Sequence, residues 1–251
     1  MDNQTDDITI DKEFQDLIPP LSPEEFASLE ASIVENKFDP AYPIILWNKT
    51  IIDGHNRYKI CTDHGIKFTT INKEFDNLNA VLSWMYNNQL SRRNIDNLQK
   101  TYIVGMLYKT EKKANGGDRK SVPQNEEVKS TSQKIAERYK MSHATVERAE
   151  KIADDVNTIA ENAGETPYQT LLLLIREAKI TFKNIDKVAK LSSDKQKKLV
   201  ITLREKRDIN VDKIVREFSV DGSEPTNSTS PTGSENHLSP LRFQTFNRKV
   251  F

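Results

Sequence analysis

The amino-acid sequence predicts an α+β protein, in which a small N-terminal mixed domain is followed by a longer all-α region. Short apolar runs bounded by turn-forming residues, which indicate strands, are confined to about the first 75 residues. Beyond about residue 77 the apolar residues recur at helical spacing instead. A chain of 251 residues has room for two such domains and a tail.

Charge and apolar content exclude several classes of protein. Lys and Arg total 37 and Asp and Glu total 37, and the mean hydropathy is −0.67. The longest apolar run, Leu171 to Ile175, is far shorter than the ~18 residues that span a bilayer. The acidic N-terminus differs from the basic start of a signal peptide, and a single cysteine, Cys61, excludes a disulfide framework. We therefore expect a cytoplasmic protein without membrane contact.

The first predicted helix begins at a capping box. Ser22 is suited to the N-cap, Pro23 to the first helical position, and Glu25 to the reciprocal bond back to the cap. Apolar residues then follow at helical spacing, namely Phe26, Leu29 and Ile33.

The next segment predicts a β-hairpin that leads into a helix. Two apolar runs flank residues 48–49, an Asn-Lys pair suited to a tight turn. Residues 53–54, an Asp-Gly pair, end the second strand, and a helix is expected over about residues 55–64. A third strand is predicted over residues 66–71.

The chain divides into four predicted segments. The N-terminal domain covers residues 1–95 and a helical domain covers residues 96–160. The helical domain contains a Gly-, Pro- and polar-rich loop at residues 114–129, which predicts flexibility. A C-terminal helical region covers residues 161–220, and the low-complexity residues 221–251 are predicted to be disordered because they are too polar to bury a core.

Residues 131–151 predict a helix-turn-helix. Apolar residues occur where the two helices of such a motif cross, with a small residue at the closest contact; they are Ile135, Ala136, Tyr139, Met141, Val146 and Ala149. Ser142 can cap the second helix. Lys140 stands where a left-handed glycine is common, so we expect some strain in the turn. The alternative is a helical hairpin that only packs a bundle.

If the motif binds duplex DNA, its second helix, from His143 to about Ile152, is the recognition helix. Arg148 is suited to guanine, whereas Ser142 and Lys151 are suited to phosphate. Basic residues between 109 and 140 predict a local positive surface on this neutral chain. The predicted DNA-binding residues are Lys134, Ser142, His143, Thr145, Glu147, Arg148 and Lys151.

Two segments of the N-terminal domain predict an anion-binding pocket. Gly54 precedes a helix start that carries His55 and Arg57, and free N–H groups at such a start attract anions. Arg92 and Arg93 precede another helix. The alternative for Arg57 is structural, an ion pair with Asp53 or another nearby carboxylate.

These segments together resemble the ParB/sulfiredoxin superfamily, specifically ParB-like partition proteins of plasmids, phages and integrative elements. The resemblance rests on Pro43-Ile-Ile, on residues 53–57, on residues 89–95 and on the helix-turn-helix that follows. It implies an N-terminal domain that binds a nucleoside triphosphate, usually CTP with magnesium. It also implies a homodimer that clamps double-stranded DNA, a partner ATPase and association with the nucleoid.

The resemblance also implies a set of nucleotide-binding residues. Gly54 and Arg57 match one phosphate motif of the family, and Arg92 matches a second. His55 and Asn56 depart from the family pattern, as does Asn88 at a position where an acidic group helps to hold magnesium, so binding and hydrolysis are expected to be weakened. The implied set is Gly54, His55, Asn56, Arg57, Gln89, Arg92 and Arg93, with no protein metal ligand. Sulfiredoxin activity is excluded because no cysteine lies beside residues 54–57.

The sequence thus predicts a sequence-specific DNA-binding protein that acts in partition or regulation of a mobile element, with a nucleotide-responsive N-terminal domain. The first alternative is an enzyme, an NTPase or a ParB-like nuclease that acts on DNA. The second is an adaptor whose C-terminal helices recruit a partner. No set of catalytic residues is identified.

Overall fold

The computed structural model describes residues 8–91, 95–114, 129–176 and 181–205. Within these residues it contains a three-stranded sheet and ten helices, in agreement with the predicted α+β class. The strands are β1 (Ile44–Trp47), β2 (Thr50–Asp53) and β3 (Thr70–Asn72). The helices are α1 (Lys12–Asp16), α2 (Pro23–Asn36), α3 (His55–Asp63), α4 (Leu78–Leu90), α5 (Asn97–Ala114), α6 (Thr131–Tyr139), α7 (His143–Ala163), α8 (Pro167–Arg176), α9 (Phe182–Ala189) and α10 (Ser193–Glu205).

The sheet has the order β2-β1-β3. β1 and β2 form the predicted antiparallel hairpin, and the turn residues Asn48 and Lys49 have φ angles of 47° and 65°, as a tight primed turn requires. β3 pairs with β1 in parallel and begins later than predicted. Phe68 packs in the hydrophobic core, and the pairing with β1 covers Thr70 to Asn72.

Both faces of the sheet are covered because alternate strand residues point to opposite sides. On one face Ile44 and Ile51 pack with residues of α2 and α3. On the other face Ile52 packs with Phe14 of α1 and Val81 of α4. The N-terminal helix α2 carries the predicted capping box between Ser22 and Glu25.

The helices from α4 to α10 share one hydrophobic core. Its fully buried residues run from Tyr86 to Leu203, without interruption at residues 95 or 160. α5 and α7 form its centre and cross at Gly105, whose backbone lies against Ala149. Gly164 ends α7 in a left-handed conformation, and the described helices continue to Glu205.

Several predictions fall on residues that the structure does not describe. They concern Arg92 and Arg93, residues 115–128 of the predicted loop, the C-terminal helical region beyond residue 205, and the predicted disordered tail at residues 221–251.

Candidate functional site

α6, a short turn and α7 form the first part of the site. Ser142 caps α7, and its hydroxyl accepts a hydrogen bond from the amide of Thr145 at 3.1 Å. Lys140 adopts the left-handed conformation itself, with φ 54° and ψ 50°, and so fills the place of the usual glycine. Ile135 and Val146 are fully buried between the helices. The helices α6 and α7 begin at Thr131 and His143 with Ser142 as the cap, as predicted, and α7 runs to Ala163 because its apolar face continues beyond residue 152.

Most of the predicted DNA-contacting side chains lie on the exposed side of this unit. Thr145 is the exception: it is half-buried, and its hydroxyl bonds that of Ser142 at 2.8 Å. Glu147 lies 3.9 Å from the ring of His143 and accepts a bond from Ser132 of α6 at 3.4 Å. The exposed residues are Lys134, Ser142, His143, Glu147, Arg148 and Lys151.

The expected positive surface is smaller than the basic residues suggest, because many of them are held by carboxylates. Examples are Lys129 with Glu137 at 2.5 Å, Lys112 with Glu150 at 3.2 Å, Arg138 with Glu111 at 2.9 Å, and Lys109 with Asp154. Within α6, the turn and α7, three exposed cations have no ion-pair partner among the described residues. They are Lys134, Lys140 and Arg148, and we call them the cationic triad.

Lys151, predicted to contact phosphate, is instead held by two carboxylates. It bonds Asp155 one turn along α7 at 2.8 Å and also bonds Asp186 of α9. Asp186 bonds Lys190 at 2.7 Å as well. The hydrogen bonds from Lys151 and Lys190 lower the pKa of Asp186 to about 2. A phosphate at Lys151 would therefore compete with these two carboxylates.

The end of α6 is fixed by side chains that sequence analysis did not single out. Asn87 of α4 accepts a hydrogen bond from Arg138 at 3.2 Å and another from the hydroxyl of Tyr139. Arg138 also bonds Glu111 of α5. Asn87 is 51 residues from Arg138, so no local pattern could have shown the contact.

The predicted anion turn at residues 53–57 is present but its arginine is occupied. Gly54 has φ 97°, and a Cβ there would lie 3.0 Å from Arg57 Nη2 and 3.3 Å from Ile44. Arg57 donates to Asp53 at 2.9 Å and to the carbonyl of Pro43 at 3.2 Å. The structural alternative for Arg57, an ion pair with Asp53, is confirmed. Asn88 also bonds Asp53, at 3.3 Å.

His55 is the unusual residue of this turn. It is 7% exposed, and neither ring nitrogen has a hydrogen-bond partner among the described residues. Burial lowers the pKa of His55, opposed by the charges of Asp53 and Asp11, so the ring is neutral at pH 7.

His55 and Asn56 line a cavity of about 560 Å³. One wall is formed by the connection from α1 to α2, with Pro19, and by Phe26 of α2; the start of α8 forms another, with Gln169. The α8 wall was not predicted, because it is more than 100 residues away from His55 in the sequence.

The predicted nucleotide-binding residues do not converge on one described site. His55 and Asn56 line the cavity, whereas Gly54, Arg57 and Gln89 are not part of its lining. Gln89 is 2% exposed, and its side-chain oxygen has no partner among the described residues. The described residues contain no group of three or more His, Cys, Asp or Glu side chains that could hold a metal ion. Arg57, the described arginine of the predicted set, bonds Asp53, whereas His55 and Asn56 are neutral residues that line the cavity.

None of the described helices combines the length and the apolar character needed to cross a membrane.

Comparison with known proteins establishes no family. No family model matches the chain, and no curated protein matches it. One matching solved structure is the C2221 form of a Pnob8-like ParB N-domain, which is 17% identical; the match covers 86% of this chain and 93% of that chain with a TM-score of 0.46. Another is the pNOB8-like ParB N-domain, at 14% identity, 87% and 94% coverage and a TM-score of 0.43. Both carry the name of the superfamily that the sequence resembles, but similarity at this level supports no argument about function.

Proposed function

We propose that the chain is a sequence-specific binder of double-stranded DNA, with the first turns of α7 as its recognition helix. The observation that carries the proposal is the cationic triad. Arg148 of α7, Lys134 of α6 and Lys140 of the turn between them are exposed and have no carboxylate partner among the described residues, while most cations near them in the fold are paired. Exposed cations without carboxylate partners favour the binding of a polyanion, because a phosphate displaces only water from them.

The three cations have different expected roles. Arg148 lies on the exposed face of the recognition helix, where a guanidinium can bond a guanine edge with two donors. Lys134 on α6 and Lys140 in the turn flank that helix, which favours contact with phosphates. Partition or regulation of a mobile element, homodimerisation and a partner ATPase stay predictions from the resemblance.

The test is duplex binding by Arg148→Ala. We expect its affinity for a duplex selected from a random-sequence pool to fall roughly 5- to 150-fold, which corresponds to about 1–3 kcal/mol. Fluorescence anisotropy over a range of salt concentrations measures it. Lys134→Ala should weaken binding to all sequences and reduce the salt slope by about one.

Lys67→Ala is the matched control, since Lys67 is an exposed lysine beside the N-terminal sheet and outside the triad. Equal affinities of Arg148→Ala, Lys134→Ala and the Lys67 control would contradict the proposal.

We also propose that the cavity at His55 binds a small polar ligand such as the nucleotide that the resemblance implies. Two features support it: a neutral, buried imidazole with both nitrogens unpartnered among the described residues, and the start of α3 at Gly54, which has no side-chain cap. Buried polar atoms that lack partners are uncommon unless a ligand or a function explains them.

A thermal-shift panel of nucleoside triphosphates with magnesium tests this second proposal. We expect one nucleotide to raise the melting temperature by several degrees when its concentration is about 100 times its Kd. The shift should disappear in His55→Ala, measured against its own ligand-free baseline. A panel in which no nucleotide shifts the wild type would refute it, and nucleotide loss in the same samples tests the NTPase alternative.

A further inference from the structure

Asn87 makes three side-chain hydrogen bonds where α4 meets α6. Its side-chain oxygen accepts from Arg138 at 3.2 Å and from the Tyr139 hydroxyl, while its side-chain nitrogen donates to the carbonyl of Ser83 at 2.6 Å. Asn87 is half-buried, as is Tyr139, so these bonds are partly shielded from water. Burial raises the pKa of Tyr139, which keeps its hydroxyl protonated and able to donate.

The partners of Asn87 are the last two residues of α6. Lys140 follows them directly in a left-handed conformation, and Ser142 then caps α7. Only this three-residue turn separates the fixed end of α6 from the recognition helix. A shift of the α6 end is therefore passed on to the start of α7, because the turn has little freedom to absorb it.

The second partner of Arg138 reinforces this arrangement. Glu111 of α5 accepts from Arg138 at 2.9 Å, so Arg138 joins α4, α5 and α6. These contacts engage Nη1 of Arg138 within the fold, at a residue whose charge and position suggest a phosphate contact.

We propose that Asn87 is a positioning residue for DNA recognition: it orients α7 by holding the end of α6 and does not contact DNA itself. This inference rests on the proposed DNA-binding function. Of the hydrogen-bonding groups of Asn87, the side-chain oxygen is the one that carries the effect, because it is the atom that reaches α6.

The test compares Asn87→Ala with Asn87→Asp. The alanine variant loses both acceptor bonds and should bind duplex DNA about tenfold more weakly, the equivalent of about 1.4 kcal/mol. The aspartate variant keeps acceptor oxygens for Arg138 and Tyr139 but loses the donor to the Ser83 carbonyl, so it should bind more tightly than the alanine variant without fully reaching wild-type affinity. The salt slope should stay unchanged in both, since no phosphate contact is removed.

Ser91→Ala is the matched control, because among the described residues the Ser91 hydroxyl bonds the Asn88 carbonyl within the same helix end and does not reach α6. Wild-type affinity in Asn87→Ala, or equal weakening in Asn87→Ala and Asn87→Asp, overturns the inference. A purely structural role would lower the melting temperature of Asn87→Ala without changing the affinity of its folded form, which also overturns it.

If Asn87→Ala does not fold, Tyr139→Phe replaces it, since it removes one donor and keeps the ring. Weaker binding than Asn87→Asp then supports the inference, and equal binding overturns it. A wild type that binds no duplex would instead refute the proposed function, so the two failures are distinguishable.

Discussion

Lys151 lies on the exposed side of α7, where its ammonium group contacts the carboxylates of Asp155 and Asp186. The pairing with Asp155 is a regular contact four residues along a helix. Asp186 belongs to α9, 35 residues away, and reaches Lys151 only because α9 packs on α7. A side chain suited to phosphate by its type and position is thereby neutralised within the fold.

This pairing predicts a pH-dependent contribution of Asp186 to stability. Its pKa is about 2 in the fold and 3.8 without partners, so the contribution is fully present above about pH 4 and is lost as pH falls towards 2. Lys151→Ala should raise the pKa of Asp186 towards 3.8, measured by NMR titration of its carboxyl carbon.

Lys67→Ala should leave that titration unchanged. An Asp186 pKa of about 2 in Lys151→Ala would mean that Lys190 alone lowers it, contrary to the expectation.

At the scale of elements, the position of α7 depends on its crossing with α5. A Cβ added to Gly105 would lie 2.0 Å from the carbonyl oxygen of Ala149 and 2.9 Å from Cβ of Ala153. The two helices are thus in backbone contact, which only a residue without a side chain permits. Sequence analysis identified Ala149 as a contact residue but did not single out Gly105, because a glycine within a helical pattern has no periodic signal.

Gly105→Ala should therefore destabilise the protein, although alanine favours helix formation by about 1 kcal/mol. The added methyl group forces α5 and α7 apart, and overpacking of this kind costs typically about 1–3 kcal/mol, occasionally more. Urea unfolding monitored by circular dichroism measures the change in the free energy of unfolding.

Gly164→Ala serves for comparison, because nothing lies within 4 Å of its added Cβ. Its cost comes only from its φ of 71°, about 1–2 kcal/mol for a left-handed residue. An unchanged free energy of unfolding in Gly105→Ala would contradict the expectation, because it would show that α5 and α7 can separate without a loss of stability.

In the folded chain, local ion pairing sets where positive charge remains exposed. The chain has equal numbers of acidic and basic residues, and many of the described cations are paired across helices. A neutral protein can still present a small positive surface where pairing is incomplete, as around the start of α7. Affinity for DNA should then depend on a few cations and on salt, rather than on net charge.

The shared core has a related consequence for the whole chain. Buried residues of α4, α5, α7 and α10 belong to one cluster, so the predicted boundaries at residues 95 and 160 do not coincide with gaps in packing. α7 packs against helices on both sides of the boundary at residue 160. The division into domains stays a prediction.

The local features of this protein could be predicted from the sequence alone. The capping box at Ser22, the hairpin turn at Asn48, the cap at Ser142 and the apolar faces of α6 and α7 all depend on residues within about four positions of one another. Such interactions form wherever the chain folds, so a pattern of residue types is enough to predict them.

Which of the predicted site residues are exposed and unpaired could be seen only in the folded chain. Which cations stay unpaired, the burial of His55, the α8 wall of its cavity and the link from Asn87 to α6 all arise from segments far apart in the chain. The physical reason is that pairing and desolvation depend on what packs beside a side chain, which no local pattern specifies.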